Sequence, residues 1–525
     1  MAPDLRRNDA VAVQHAPPAP PAPSVVASVA PRVTWLIDNA EAYEALLAAC
    51  RSARSSIWMT QLAFDADCVA YPSSDDSSRD PDVAPARVID VLIDAAERRN
   101  VDVRILLNAS LLLDTAAPLR RYLATRGCDP LRVRVRGIRR FPQLLHAKIV
   151  VVDGEVAFLV GSPFVNGYWD DSQHVPQDAR RPSRELGGRP LHDLSIRLTG
   201  DAAATLAHGV AELWNGADDV DTDDTHVLAV PSPVMPADAP VQIVRSAPAA
   251  RRAGHPVRRA DIIGALLAGI SSAHRSIYIE HQYLSSAAVI NALVGALARR
   301  PLLEIIIVLN QNPDVTAYRG WQNRRLAASG LFDHERVGLF ALWTVGGAGA
   351  RCSVVNQVFV HSKVVVIDDR WAMVGSANLD GVSLETYADD FASWIGQRVF
   401  RGVRNFDVAA IVAGGVGSHA SDSVRELRVA LWREHLDAPD LDGTAPPSDG
   451  WLAHWRRCAH ENVRRLNGGA LQSGIMVLAY SRSSTPARQL RDAGVDLAKQ
   501  CLTIDFDPSW MEVHLSPNWV RNMFA

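Results

Sequence analysis

Two stretches of this chain repeat one order of apolar and polar positions. Tyr43, Leu46, Leu47 and Cys50 recur at helical spacing and lead into a short apolar strand at residues 56–59. Ile262, Ile263, Leu266, Leu267 and Ile270 lead into residues 276–279 in the same way. A second apolar strand, ending in Asn, follows in each half at residues 103–108 and 305–310. Each half then delivers an apolar strand that carries a His and a Lys. From Ile57 to His146 is 89 residues, and from Ile277 to His361 is 84. The repeat predicts an α/β fold of two similar lobes related by pseudo-twofold symmetry, each a mixed β-sheet flanked by helices.

Turn and breaker residues divide the chain further. Residues 1–31 read as a disordered tail rich in Pro and Ala. The first lobe is expected at residues 32–217, an acidic then Pro-rich linker at 218–240, and the second lobe at 241–436. Residues 437–525 form an extension of unknown role. Residues 70–87 and 170–192 read as long loops. Ser421 or Ser423 is the expected cap of a helix carrying Val424, Leu427 and Leu431 on one face.

Composition narrows the class. Hydrophobic residues at 48% and charged residues at 21% exclude a disordered or fibrous chain, and no apolar run approaches a membrane span. A net charge of −4 offers no global field for nucleic acid or an anionic surface. The six cysteines form no CxxC, and the N-terminus shows no Sec-type signal. A cytoplasmic protein, or one peripheral to a membrane, is the expectation, and a monomer. Of 54 basic residues only Lys148, Lys363 and Lys499 are lysines. A retained Lys therefore marks a place where a compact point charge is needed.

Two of those three lysines follow a His by two residues. The first set is His146, Lys148, Asp153 and Gly161-Ser162; the second is His361, Lys363, Asp368 and Gly375-Ser376-Ala377-Asn378. Positions i and i+2 of a strand share a face, so each His and Lys project together. Composition alone would produce this coincidence roughly 3 times in 1000. Asp153-Gly154 and Asp368-Asp369 read as two-residue hairpin turns. They would pair His146 with Gly161 and His361 with Ser376, bringing the Gly-Ser step beside the histidine of its own lobe. Imidazoles and ammonium groups at one interface suit a phosphodiester without a metal. No HExxH occurs, no nucleophile elbow surrounds Ser162 or Ser376, and Gly346 to Gly349 lack the Lys of a phosphate loop.

The pattern HxK(x)4D(x)6GSxN, met in full from His361 to Asn378, resembles the signature of the phospholipase D superfamily. The likeness spans roughly residues 33–436 and is nearest to bacterial enzymes with two motifs in one chain. Ile277 to Tyr283 is similar to the family's IYIENQY segment, and Leu427 to Leu436 to its LR…LWREHL helix. The first motif departs: seven residues separate Asp153 from Gly161, and Phe164 stands where Asn belongs, with Asn166 the expected substitute. Val382 replaces an Arg frequent in cardiolipin synthases.

The resemblance implies His146 as nucleophile and His361 as acid, or the reverse, with Lys148 and Lys363 balancing phosphate charge. It implies Asp193 and Asp390 as supports of the histidines, Ser162, Asn166, Ser376 and Asn378 as phosphate binders, and Asp153 and Asp368 as structural. No cofactor and no metal are implied. The implied reaction is phospholipid headgroup cleavage to phosphatidic acid at a membrane surface, with water or an alcohol as acceptor and no nucleic acid. A cardiolipin synthase-like transferase, a nuclease and an inactive lipid-binding relative are the alternatives.

Overall fold

The computed structural model describes residues 32–72, 84–110, 113–139, 143–181, 188–217, 227–228, 239–250, 257–313, 316–349, 352–384, 403–415, 417–468, 473–498 and 502–504. The expected tail, most of the linker and Asp390 lie outside them. The first sheet runs Val33–Ile37, Leu194–Thr199, Val156–Leu159, Ile149–Val152, Ser56–Thr60 and Asp102–Ser110, and ends in Val133–Ile138 and Leu113–Asp114. The second repeats that order with Val241–Ala250, Asn405–Ala413, Trp371–Gly375, Lys363–Ile367, Ser276–His281, Glu304–Leu309 and Val337–Gly349. Strand senses repeat too. Ser56–Thr60 is parallel to Asp102–Ser110 and antiparallel to Ile149–Val152, as Ser276–His281 is to its two neighbours.

Both motif strands are apolar on both faces, and the core shows why. Ile149 and Val151 join a core that runs between the lobes, while Val150 and Val152 join one beneath the helices Asp38–Ser52, Val88–Arg99 and Ala116–Thr125. Val364 and Val366 face the shared core in the same way, and Val365 and Ile367 the outer one. Each such side chain contributes about 1.5–3 kcal/mol on burial. A slip by one residue would exchange one apolar face for another, so burial alone does not hold the register. The turns hold it.

Those turns differ from the sequence expectation by one residue. Asp153 and Gly154 have φ of 54° and 72°, and Asp368 and Asp369 have 52° and 54°, the left-handed pair a tight hairpin needs. The ladder nevertheless pairs Val152 with Val156 and Ile367 with Trp371, leaving Glu155 and Arg370 as an extra residue on the returning strand. The helix His419–His435 is capped by Ser418, whose hydroxyl accepts from the Ser421 amide, rather than by Ser421 or Ser423.

The expected boundary at 436 also moves. The helix Trp451–Gly468 places Trp455 in the shared core against Trp432, and Gly474–Ala479 pairs with Val337–Gly349. Leu502–Ile504 adds beside Cys352–Gln357. These parts of the extension complete the second sheet, because its long strand would otherwise present unpaired backbone and an apolar face.

Candidate active site

Two very short strands bring the lobes together at the motifs. Leu144–Leu145 of the first lobe runs parallel to Asn405-Phe406 of the second, and the His146 and Ala147 amides donate to the Phe406 carbonyl at 3.1 and 2.7 Å. Reciprocally, Leu191–His192 runs parallel to Phe359–Val360, and the His361 amide donates to the His192 carbonyl at 2.8 Å. Each motif histidine is thus held against the strand that opens with an aspartate of the opposite lobe.

The side chains complete this exchange. His146 Nδ1 lies 2.7 Å from Asp407 Oδ1, and His361 Nδ1 lies 2.9 Å from Asp193 Oδ2. The carboxylates occupy Nδ1, which leaves Nε2 as the reacting nitrogen. Ser376 donates to Asp407 at 2.7 Å, and Ser162 donates to Asp193. Ser162 Oγ is also 3.2 Å from His361 Nδ1, so the serine serves the histidine of the other lobe, not its own. These hydroxyls hold the two carboxylates in place against the histidines.

The motif glycines are required by this closeness. A Cβ on Gly161 would lie 2.1 Å from Asp193 Oδ1, and one on Gly375 would lie 2.3 Å from the Val408 carbonyl. Asn108 and Asn310 end their strands as paired clamps. Asn108 bonds the Leu145 amide and carbonyl at 2.9 Å each, and Asn310 bonds those of Val360 at 2.7 and 2.6 Å. Both fix the residue preceding the motif histidine.

Lys148 and Lys363 donate to the carbonyls of His146 and His361 respectively, and both are buried. Burial, then the neighbouring Lys363 charge, pushes the Lys148 ammonium down to about 7. Burial and Lys363 push His361 down to about 4 against the pull of Asp193. His146 is lowered by burial and Lys148, against Asp407. Each lysine acts on the histidine of the other lobe as well as its own, so the motifs share one electrostatic site. Burial raises the aspartates, yet the His361 contact at Asp193 and the His146 contact at Asp407 outweigh it and leave both below the usual carboxylate range.

The remaining expected residues fall as follows. Asp153 accepts the amides of Arg54, Ser55 and Ser56, and Asp368 those of His274, Arg275 and Ser276, at the hairpin ends away from the histidines. Asn378 is buried with no hydrogen bond to its Oδ1. Phe164 pairs with Phe64 as Leu379 pairs with Leu284, so Pro163 takes the place of Asn378 and Asn166 lies three residues beyond it. Its amide donates to Asp65 at 3.3 Å, and it does not stand in for Asn378.

Asp390 lies outside the described residues, and the carboxylate on His146 is Asp407. A sequence signal for it existed. Asp193 stands 31 residues after Ser162, and Asp407 stands 31 after Ser376. His281 was also missed: it stands where the IYIENQY segment has Asn and pairs in register with Lys363.

A duplicated, reciprocal His–Asp pair with buried lysines thus stands where the two similar lobes meet. Known proteins resemble this chain as follows. A family profile described as "Cardiolipin synthase, PLD-like domain" matches residues 46–164 and 266–401. Cardiolipin synthase A of Pseudomonas putida (strain W619) is 28% identical over 259 residues, 48% of this chain and 45% of that protein. Phospholipase D A of Dictyostelium discoideum is 24% identical over 365 residues, 58% of this chain and 28% of that one. The chain thus spans less than half the length of the curated relatives it matches. The crystal structure of phosphatidylserine synthase from Haemophilus influenzae Rd KW20 shares the fold, with a TM-score of 0.50 and 12% identity over 76% of this chain and 86% of that one. Residues 46–164 and 266–401 thus resemble the phospholipase D-like family that these proteins share.

Proposed function

We propose that this protein is a phospholipid-modifying phosphodiesterase of the phospholipase D type, which forms a phosphatidyl–histidine and passes it to water or an alcohol. The observation that carries the reading is the reciprocal pair His146–Asp407 and His361–Asp193 with Lys148 and Lys363 buried beside it. Nε2 of neutral His146 attacks phosphorus in line, and the headgroup alkoxide leaves with a proton from His361, whose imidazolium the charge of the bound phosphate favours over the free-site state. His361, now neutral, takes the proton of the incoming water or alcohol, whose oxygen attacks phosphorus and releases His146. Each aspartate stabilises the imidazolium form of its partner. Lys148, depressed by burial and by the Lys363 charge, regains full charge when a phosphate diester lies beside it.

A nuclease needs a basic track, and the net charge of −4 offers none. Among the described residues no helix is long and apolar enough to cross a membrane, so lipid would be met at a surface. A second reading is favoured by the family profile and the Pseudomonas relatives: a cardiolipin synthase-like transferase, whose acceptor alcohol is carried by another phospholipid.

One experiment separates these readings. Purified protein is incubated with vesicles of phosphatidylglycerol and phosphatidylethanolamine, with and without a primary alcohol, and products are identified by mass spectrometry. Phosphatidic acid and phosphatidyl-alcohol support the first reading, and cardiolipin supports the second. DNA cleaved at ~0.15 M salt with lipid untouched would overturn both.

A further inference from the structure

A second cluster of titratable side chains lies behind the His361 half of the site, and the mechanism does not use it. Asp38, His174 and His192 of the first lobe meet Glu434 of the helix His419–His435. His192 Nδ1 is 3.1 Å from Asp38 Oδ1 and 2.8 Å from Glu434 Oε1. His174 Nε2 is 3.4 Å from Asp38 Oδ2 and 3.3 Å from the same Glu434 oxygen. A tetrahedral ion with nitrogen and oxygen ligands at ~2.0–2.1 Å spaces those ligands roughly 3.3 Å apart. We infer that Asp38, His174, His192 and Glu434 bind a divalent transition-metal ion of the zinc class that clasps the two lobes.

Three observations support the assignment. First, the cluster is poorly made as a hydrogen-bond network. Asp38 is 1% exposed, yet its Oδ2 accepts no hydrogen bond, and neither ring nitrogen of His192 makes an aligned one despite contacts near 3 Å. Among the four ligands only His174 Nε2 and Glu434 Oε1 make an aligned bond, at 3.3 Å, while Asp38 Oδ2 and His192 Nδ1 make none, as groups aimed at a common ion do not. Second, the outer nitrogen of each histidine meets a further carboxylate: His174 Nδ1 is 2.9 Å from Asp170 Oδ2, and His192 Nε2 is 2.8 Å from Glu280 Oε1. A carboxylate–histidine–metal triad orients a ligating imidazole as Asp170 orients His174, while the His192–Glu280 contact is close without being aligned. Third, the cluster has no counterpart across the pseudo-dyad among the described residues. Where the second lobe has Glu280 and Ser362, the first has Thr60 and Ala147, and Phe406 precedes Asp407 as His192 precedes Asp193. The His146 half is built without these charges, so phosphodiester chemistry does not require them.

A divalent ion suits the local charge. Four carboxylates (Asp38, Asp170, Glu280 and Glu434) face Arg181, which pairs with Asp170, and His435, which is 2.9 Å from Glu280. The ion and Arg181 offset three of those four charges, with His174 and His192 as neutral ligands. The site is structural, since four protein ligands leave no open position. It also differs from the catalytic constellation, for which no metal was expected.

The test uses the full chain grown with added zinc. Metal content is measured by mass spectrometry of the gel-filtered protein, which is then stripped with a strong chelator and titrated with Zn²⁺ or Co²⁺. One bound ion per chain, a melting temperature that falls by a few degrees on stripping and returns with Zn²⁺, and the visible absorption of tetrahedral Co²⁺ are expected. His174→Gln and Asp38→Asn should each lose the ion, while His146→Ala keeps it. Because the first two variants remove buried groups and can misfold, the stripped wild-type chain carries the decision. If it takes up neither ion and its melting temperature does not move, the assignment is wrong. An ion retained by both ligand variants and lost in His146→Ala would place it in the catalytic site and equally overturn the clasp.

Discussion

Replacing Asp407 by Asn tests which carboxylate supports His146. The Asp407 side chain is 2% exposed, receives the Ser376 hydroxyl at 2.7 Å and lies 2.7 Å from His146 Nδ1. Asn keeps the volume and one oxygen, so the fold should survive, but it cannot balance an imidazolium. A hydrogen bond to a charged group contributes about 1.5–3 kcal/mol, which converts to a rate loss of about 10- to 150-fold. The loss grows if the Asn amide turns its NH₂ toward Nδ1. That would put the ring proton on Nε2, the nitrogen that must attack, and the equivalent change in serine-protease triads costs about 10⁴. The structure thus sets a range of about 10 to 10⁴ for Asp407→Asn.

The control is Asp390→Asn, the substitution that the family resemblance singles out. Initial rates on a soluble chromogenic phosphodiester, with a thermal melt for each variant, compare the two without lipid-surface effects. Asp390→Asn should stay within about threefold of wild type, since Asp407 already holds His146 Nδ1 at 2.7 Å. If Asp390→Asn is the severe variant and Asp407→Asn retains its rate with an unchanged melt, the 31-residue spacing and the pairing built on it are wrong.

His146→Ala and His361→Ala should each lower turnover by roughly 10⁴-fold or more; intact-protein mass spectrometry of His361→Ala should show a trapped phosphatidyl adduct on His146, and an adduct in His146→Ala instead would reverse the roles. Lys148→Arg and Lys363→Arg should lose roughly 10²–10³-fold in kcat, because a planar fork replaces a buried point charge beside the phosphate, and steady-state rates equal to wild type would remove that argument. Stability should fall as pH drops from about 6.5 to about 4. The unfolded chain takes up the His361 proton at the upper value and the folded chain only at the lower, a loss of about 3 kcal/mol. Urea melts of His361→Asn should lack that part of the slope, and an unchanged slope would show that another group titrates.

What could be read in the sequence and what could not divide along a physical line. The His-x-Lys pairs, the apolar motif strands and the twin lobes follow from the period of a strand and from burial on both faces, which act over a few residues and leave a local trace. The hairpin register failed by one because two left-handed residues at the turn are followed by an extra one, Glu155 or Arg370, and both adjoining faces are apolar enough to accept either alignment. Ser162 and Ser376 were misread for a related reason. Each serine bonds the aspartate that holds the histidine of the opposite lobe, and that histidine arrives through a strand of only two residues that no periodicity can announce. Asp407 left a trace only in comparison, as the equal spacing from motif serine to aspartate in the two halves. Asp38, His174, His192 and Glu434 left none: they span most of the chain, sit on two helices, a loop and a short strand, and converge only because the lobes exchange edges. A cluster assembled in that way is invisible to motif reasoning, and it depends on the packing of two lobes. Such a place gains most from an ion that holds both.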